Sequence, residues 1–129
     1  MRESASRGGA LSESGAIDPA RLLEQLGGDC VGVEKLLLGF LKEAPETVTR
    51  VRGALEARDA PGAEHDAHRL KGLLAWISAR TAAALAAEIE RLARTGDFDA
   101  ASDRLEELVR ELDRVYAEAR SATVGATER

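Results

Sequence analysis

Ala67-His68-Arg69-Leu70-Lys71-Gly72 decides the reading of this chain. Positions three and four apart are neighbours on a helix. From His68 those neighbours are Lys71 and Gly72, and Ala75 follows one turn later. The apolar residues Ala63, Ala67, Leu70, Leu74 and Ile77 form a separate stripe on the same stretch. This spacing predicts a helix over about residues 60–77. Each helical residue advances about 100°, so the stripe's centre lies roughly 140° from His68. A core histidine should fall within the stripe, and this one does not. His68, Lys71, Gly72 and Ala75 are therefore expected to face outward. An imidazole beside an ammonium, with bare backbone next to both, suits transient binding of a phosphoryl group better than it suits a core.

Helices are predicted on both sides of this segment. A short one spans about residues 18–26, with Asp18 as cap, Pro19 in the first helical position and Gly27-Gly28 as the stop. Asp29 caps the next. Its apolar positions are Val33, Leu37, Phe40, Ala44, Val48, Val51 and Leu55, spaced three and four apart as a core-facing stripe requires. Pro45 lies inside it and is expected to kink this helix or split it in two. Pro61-Gly62 breaks or begins the following element. After a break near residues 78–80, a helix runs to about Arg94, with Leu85, Ile89 and Leu92 as its inner face. Thr95-Gly96-Asp97 reads as a turn, with Gly96 as the stop. The last helix carries Phe98, Ala101, Leu105, Leu108, Leu112, Val115 and Ala119, a heptad seam suited to packing within a bundle.

Composition agrees with an all-α protein. Aromatic residues make up 3% of the 129 residues and hydrophobic residues 44%, so the core must be mostly Leu, Ala, Val and Ile. A chain of this length forms one domain and buries a core without disulfides. Cys30 is the single cysteine, read as a small apolar residue near a helix start. The net charge of −5 argues against nucleic acid as the main partner. Without a membrane span or signal segment, the expected setting is the cytoplasm. Residues 1–16 are rich in Ser, Gly and Ala and read as a disordered tail. Residues 121–129 read as a frayed C-terminal tail.

The order of these segments carries a family resemblance. His68-Arg69-Leu70-Lys71-Gly72 resembles the His-x-Leu-Lys-Gly signature of histidine-containing phosphotransfer (HPt) domains. Ile17-Asp18-Pro19-Ala20-Arg21-Leu22-Leu23-Glu24-Gln25-Leu26-Gly27-Gly28-Asp29 resembles the family's opening helix and turn. The long helix with Phe40-Leu41, ending near Ala54-Leu55-Glu56-Ala57-Arg58-Asp59, is also similar to the family's. The match covers roughly residues 17–120. It implies a four-helix up-and-down bundle with a short additional N-terminal helix. It also implies a phosphorelay intermediate that shuttles a phosphoryl group between receiver-domain aspartates through phosphohistidine at His68.

Lys71 would stabilise the phosphate, and Gly72 would let a partner's loops approach. Lys71 is one of three lysines among 18 basic residues, which favours a specific role. No nucleotide-binding loop or paired kinase motifs occur, so no kinase activity or cofactor of its own is expected. Mg²⁺ would belong to the partner. The implied partners are response-regulator receiver domains and a hybrid sensor kinase, met by a monomer.

Other candidates are weaker. In some relatives, such as the phosphotransfer domain of the chemotaxis kinase, a glutamate on the next helix hydrogen-bonds the acceptor imidazole. Glu90 lies at a similar separation from His68. Arg94 is a candidate second phosphate contact. Trp76 falls about 80° from His68 and is either a docking anchor or a bundle-edge residue. His65, beside Glu64 and Asp66, has too few further ligands for a metal site and reads as a solvated or rim residue. The chain departs from the family pattern at Ser78, where a glycine commonly follows the histidine by ten residues, and at Leu73-Leu74. These departures bear on the identity of the partner more than on the chemistry. The rival readings are a non-catalytic helical scaffold and an oligomerisation module using the 98–119 seam.

Overall fold

The structure, a computed structural model, describes residues 15–128, with side chains through residue 123. Five helices follow in chain order: α1 (Pro19–Gln25), α2 (Cys30–Glu56), α3 (Ala60–Trp76), α4 (Arg80–Arg94) and α5 (Phe98–Glu128). The described residues contain no strand. Aspartate side chains start four of the helices by accepting backbone N–H groups that lack a helical partner. Asp18 accepts from Arg21, Asp29 from Gly32, Asp59 from Gly62 and Asp97 from Ala100, at 3.0 to 3.2 Å. Pro61 thus begins α3 rather than breaking the preceding element.

The helix ends are equally regular. After α2, α3 and α4 the chain takes one left-handed residue and after α1 two, and at each end two N–H groups close back on the last turn. At the end of α3, Ser78 N–H donates to the Ala75 carbonyl and Ala79 N–H to the Leu74 carbonyl. The left-handed residues are glycines after α1 (Gly27 and Gly28) and α4 (Gly96), but Arg58 after α2 and Ser78 after α3, with φ of 55° and 61°.

α2 packs on α3 and α5, α4 also packs on α3 and α5, and α1 touches α2. The contacts among the four long helices therefore close a circuit. Its interior holds Leu37, Phe40 and Val51 of α2, Leu70 and Leu74 of α3, Ile89 of α4, and Leu105, Leu108 and Leu112 of α5, all 2% exposed or less. Each such side chain contributes roughly 1.5–3 kcal/mol through burial.

Several expectations are corrected. Of the two outcomes expected at Pro45, only the split is excluded, since α2 runs unbroken through it. The proline itself is exposed, so its ring lies on the outer side of α2. On α2 the fully buried position is Thr47, not Val48, and the Thr47 hydroxyl donates to the Glu43 carbonyl at 3.0 Å, which satisfies it inside the core. The inner face of α4 is Ala82, Ala86, Ile89 and Ala93, while Leu85 and Leu92 are only half-buried.

Ala16, assigned to the tail, is buried. Its N–H and that of Ile17 donate to the Glu118 carboxylate at 2.8 and 3.0 Å, which fixes this segment on α5. Residues 1–14 lie outside the described residues. At the other end α5 continues to Glu128, and Thr123 is buried, past the boundary expected at residue 120. No helix among the described residues is long and apolar enough to cross a membrane.

Candidate functional site

α3 presents Ala63, Ala67, Leu70 and Leu74 to the core. That fixes the rotation of the helix and turns His68 outward, with 66% of its side chain exposed. α4 packs on α3, and both helices bury several alanines. Ala63 and Ala67 of α3 and Ala82, Ala86 and Ala93 of α4 are all buried, beside the larger Leu70 and Leu74 of α3 and Ile89 of α4. The short reach of a glutamate from α4 is enough to touch the outer face of α3. Glu90 does so, although only 11% of its side chain is exposed.

The Glu90 carboxylate organises the site. One oxygen, Oε2, lies 3.0 Å from His68 Nδ1. The other, Oε1, accepts from Lys71 Nζ at 2.9 Å. Arg94, one turn further along α4, places Nη2 3.5 Å from Oε2 and donates through Nε to Glu64 Oε2 at 2.7 Å. Burial pushes the Glu90 carboxyl up, but the hydrogen bonds and charges of Lys71 and His68 outweigh it and hold the group below its ordinary value. Glu90 is therefore ionised near neutral pH and can only accept hydrogen bonds. It follows that the proton of a neutral His68 sits on Nδ1. The lone pair is then on Nε2, on the opposite edge of an exposed ring.

Of the residues singled out from sequence, His68, Lys71, Gly72, Glu90 and Arg94 come together here. Gly72 is half-buried, and a Cβ built on it would meet nothing within 4 Å. It therefore makes no tight packing contact. Trp76 stands one turn beyond Gly72, 66% exposed. With Leu22, Gln25, Leu26, Leu36 and Ala75 it lines an open groove of about 340 Å³ between α1, α2 and α3. His65 is exposed. Among the described residues, no group of three or more His, Cys, Asp or Glu side chains is placed to hold a metal ion. Sequence reasoning missed Glu64 as a site residue. Its position one turn before His68 was the available signal, but its partner on α4 was not visible.

Ser78 has a bearing on the departure noted above. The position where the family commonly has glycine is left-handed here, with φ of 61°. The backbone needs that conformation to close α3, and serine adopts it at some cost.

Comparisons with known proteins point one way. The Hpt domain family model matches residues 35–118. The structure is similar to the crystal structure of histidine-containing phosphotransfer protein B (HptB) from Pseudomonas aeruginosa PAO1, with a TM-score of 0.77 and 26% identity, covering 84% of this chain and 94% of that one. No curated protein sequence gave a significant match. A family model that spans most of the chain, over a helical structure that superposes on a phosphotransfer protein, places this chain in the Hpt domain family of histidine phosphotransfer proteins.

Proposed function

We propose that His68 is the phosphoacceptor and that the chain relays a phosphoryl group between receiver-domain aspartates. The carrying observation is the 3.0 Å pair between His68 Nδ1 and Glu90, which leaves Nε2 as the free nucleophile on an exposed ring. In the forward step the Nε2 lone pair attacks the phosphorus of a receiver aspartyl phosphate. The bond from phosphorus to the carboxylate oxygen breaks, and the aspartate leaves with that electron pair. No proton is lost, because Nδ1–H stays on the ring and on Glu90. Attack on phosphohistidine by a second receiver's aspartate reverses these roles.

Positioning and charge stabilisation carry such a transfer. Lys71 can donate to the incoming phosphoryl oxygens while it stays on Glu90 Oε1, because an ammonium has three donors, and Gly72 leaves a path for the receiver's loops. The Mg²⁺ is assigned to the receiver partner. This chain supplies no kinase chemistry of its own, and a hybrid sensor kinase stands upstream. The proposal places it in the cytoplasm as a monomer, a four-helix up-and-down bundle of α2 to α5 with α1 against one end. Trp76 is assigned as a docking anchor for the partner.

The test is acid-labile labelling by phosphorylated receiver domains, with the site mapped by mass spectrometry. His68→Gln should abolish the label and His65→Gln should leave it. Phosphate found on His65, or on neither histidine with any receiver, would refute the assignment.

A further inference from the structure

Glu64 and Arg94 form a pair whose placement the fold does not explain. Their side chains are 35% and 57% exposed, so their ion pair contributes little to stability. Yet they bracket the site. Glu64 lies one helical turn before His68, as Lys71 lies one turn after it. Arg94 holds Glu64 through Nε and reaches with Nη2 toward the same Glu90 oxygen that His68 approaches. The imidazole is therefore flanked by two cations, each held by a carboxylate. Two carboxylates, Glu64 and Glu90, balance Lys71 and Arg94, so the unphosphorylated cluster is close to neutral.

Transfer ends that balance. A phosphoryl group adds a charge of about −1.5 to −2 and three strong acceptor oxygens. Both carboxylates then compete with it for the two cations. Glu64 is the more exposed of the two, and water solvates it readily once it is released. Glu90 is buried and would be left as an uncompensated charge. The weak link is therefore the Glu64–Arg94 pair.

We propose that Glu64 is a positioning residue that holds Arg94 in reserve, and that on phosphorylation of His68 Arg94 exchanges Glu64 for the phosphoryl oxygens. This rests on the reading of His68 as the phosphoacceptor. Glu64 then sets how strongly the protein retains its phosphoryl group, and hence how readily it passes the group on. The forked guanidinium suits this role, because it binds phosphate in two-point fashion and is less strongly hydrated than an ammonium.

The experiment loads His68 with phosphoramidate, which needs no protein partner, and follows phosphohistidine decay at neutral pH by ³¹P NMR. Arg94→Gln removes a charge-assisted contact and should shorten the lifetime about ten-fold. Glu64→Gln removes the competitor and should lengthen it about two- to five-fold, the range of an exposed ion pair. In the Arg94→Gln background, Glu64→Gln should change it by less than about two-fold. A purely structural pair would move melting temperature without this dependence of one residue on the other. Equal lengthening by Glu64→Gln in both backgrounds would overturn the exchange, since Glu64 would then act only by repulsion through space. An unchanged or shortened lifetime in Glu64→Gln alone would overturn it as well, and that measurement suffices if Arg94→Gln folds poorly. Absence of label on wild-type His68 would defeat the phosphoacceptor reading and this inference with it. A labelled wild type with additive effects would defeat the exchange alone.

Discussion

Gly72 gives the sharpest separation of stability from function. It sits inside α3, where glycine costs about 1 kcal/mol relative to alanine. A Cβ added there would meet nothing within 4 Å, so no clash offsets the gain. Gly72→Ala should therefore stabilise the protein by about 1 kcal/mol, partly by restricting the unfolded chain. For a chain of this size that raises Tm by about 3–5 °C. Thermal and urea unfolding measure it directly. Gly72→Gln should also stay folded and helical, because its side chain enters the same open space. It should nevertheless strongly impair transfer from a phosphorylated receiver, whose loops must pass that point to reach His68. Phosphoramidate, which needs no docking, should still label the Gln variant. Loss of stability in Gly72→Ala would show that the space is occupied in solution. Normal receiver transfer in Gly72→Gln would show that the glycine does not serve access.

Three further outcomes follow from the geometry. Glu90 has a depressed carboxyl, so its contribution to stability is present above the ordinary value of 4.5 and is lost as pH falls through the folded value; Glu90→Gln should cost about 1–2 kcal/mol at pH 7, the gap in Tm from wild type should close below about pH 4.5, and a gap independent of pH would refute the pairing. Ser78 holds φ of 61°, a conformation that costs a non-glycine residue about 1–2 kcal/mol; Ser78→Gly should recover part of this, offset by about 0.4–1 kcal/mol of unfolded-state entropy, and a clear fall in Tm would contradict it. Burial, with a smaller effect of Asp113, raises the Tyr116 phenol to about 12; as the single tyrosine it gives a clean ultraviolet titration, stability should fall as pH rises from about 10 toward that value, and ionisation near 10 in the folded protein would refute its burial.

The sequence made some of this legible because local rules were enough. The stripe on α3 fixes which way His68 faces, and the caps Asp18 and Asp29 and the stops Gly27 and Gly96 are local chemistry. The same rules located the ends of α2 and α3 but not their left-handed conformation at Arg58 and Ser78, where no glycine announces it. There the packing of the flanking helices overrides the residue's own preference. They failed again on α4. A reading that weights large apolar residues picks out Leu85 and Leu92 with Ile89, but the fully buried positions beside Ile89 are alanines. How near two helices approach depends on both partners, and one helix's pattern does not report it. The pairing of Glu64 with Arg94 was hidden for a related reason, since it joins residues 30 positions apart.

The tight turn explains why the site stands where it does. His68 lies ten residues before Ser78 and Glu90 twelve after it. At 1.5 Å per residue these are about 15 and 18 Å from the turn, so in an antiparallel pair the two side chains stand at nearly the same level. The turn at Ser78-Ala79 sets the register. One residue inserted into that turn would rotate Glu90 by about 100° about its helix and carry its carboxylate away from both His68 and Lys71. The imidazole's tautomer is thus fixed by a helix connection some 15 Å away. A polar serine in a strained conformation is tolerated there because the length of the turn matters more to the site than the comfort of the residue that makes it.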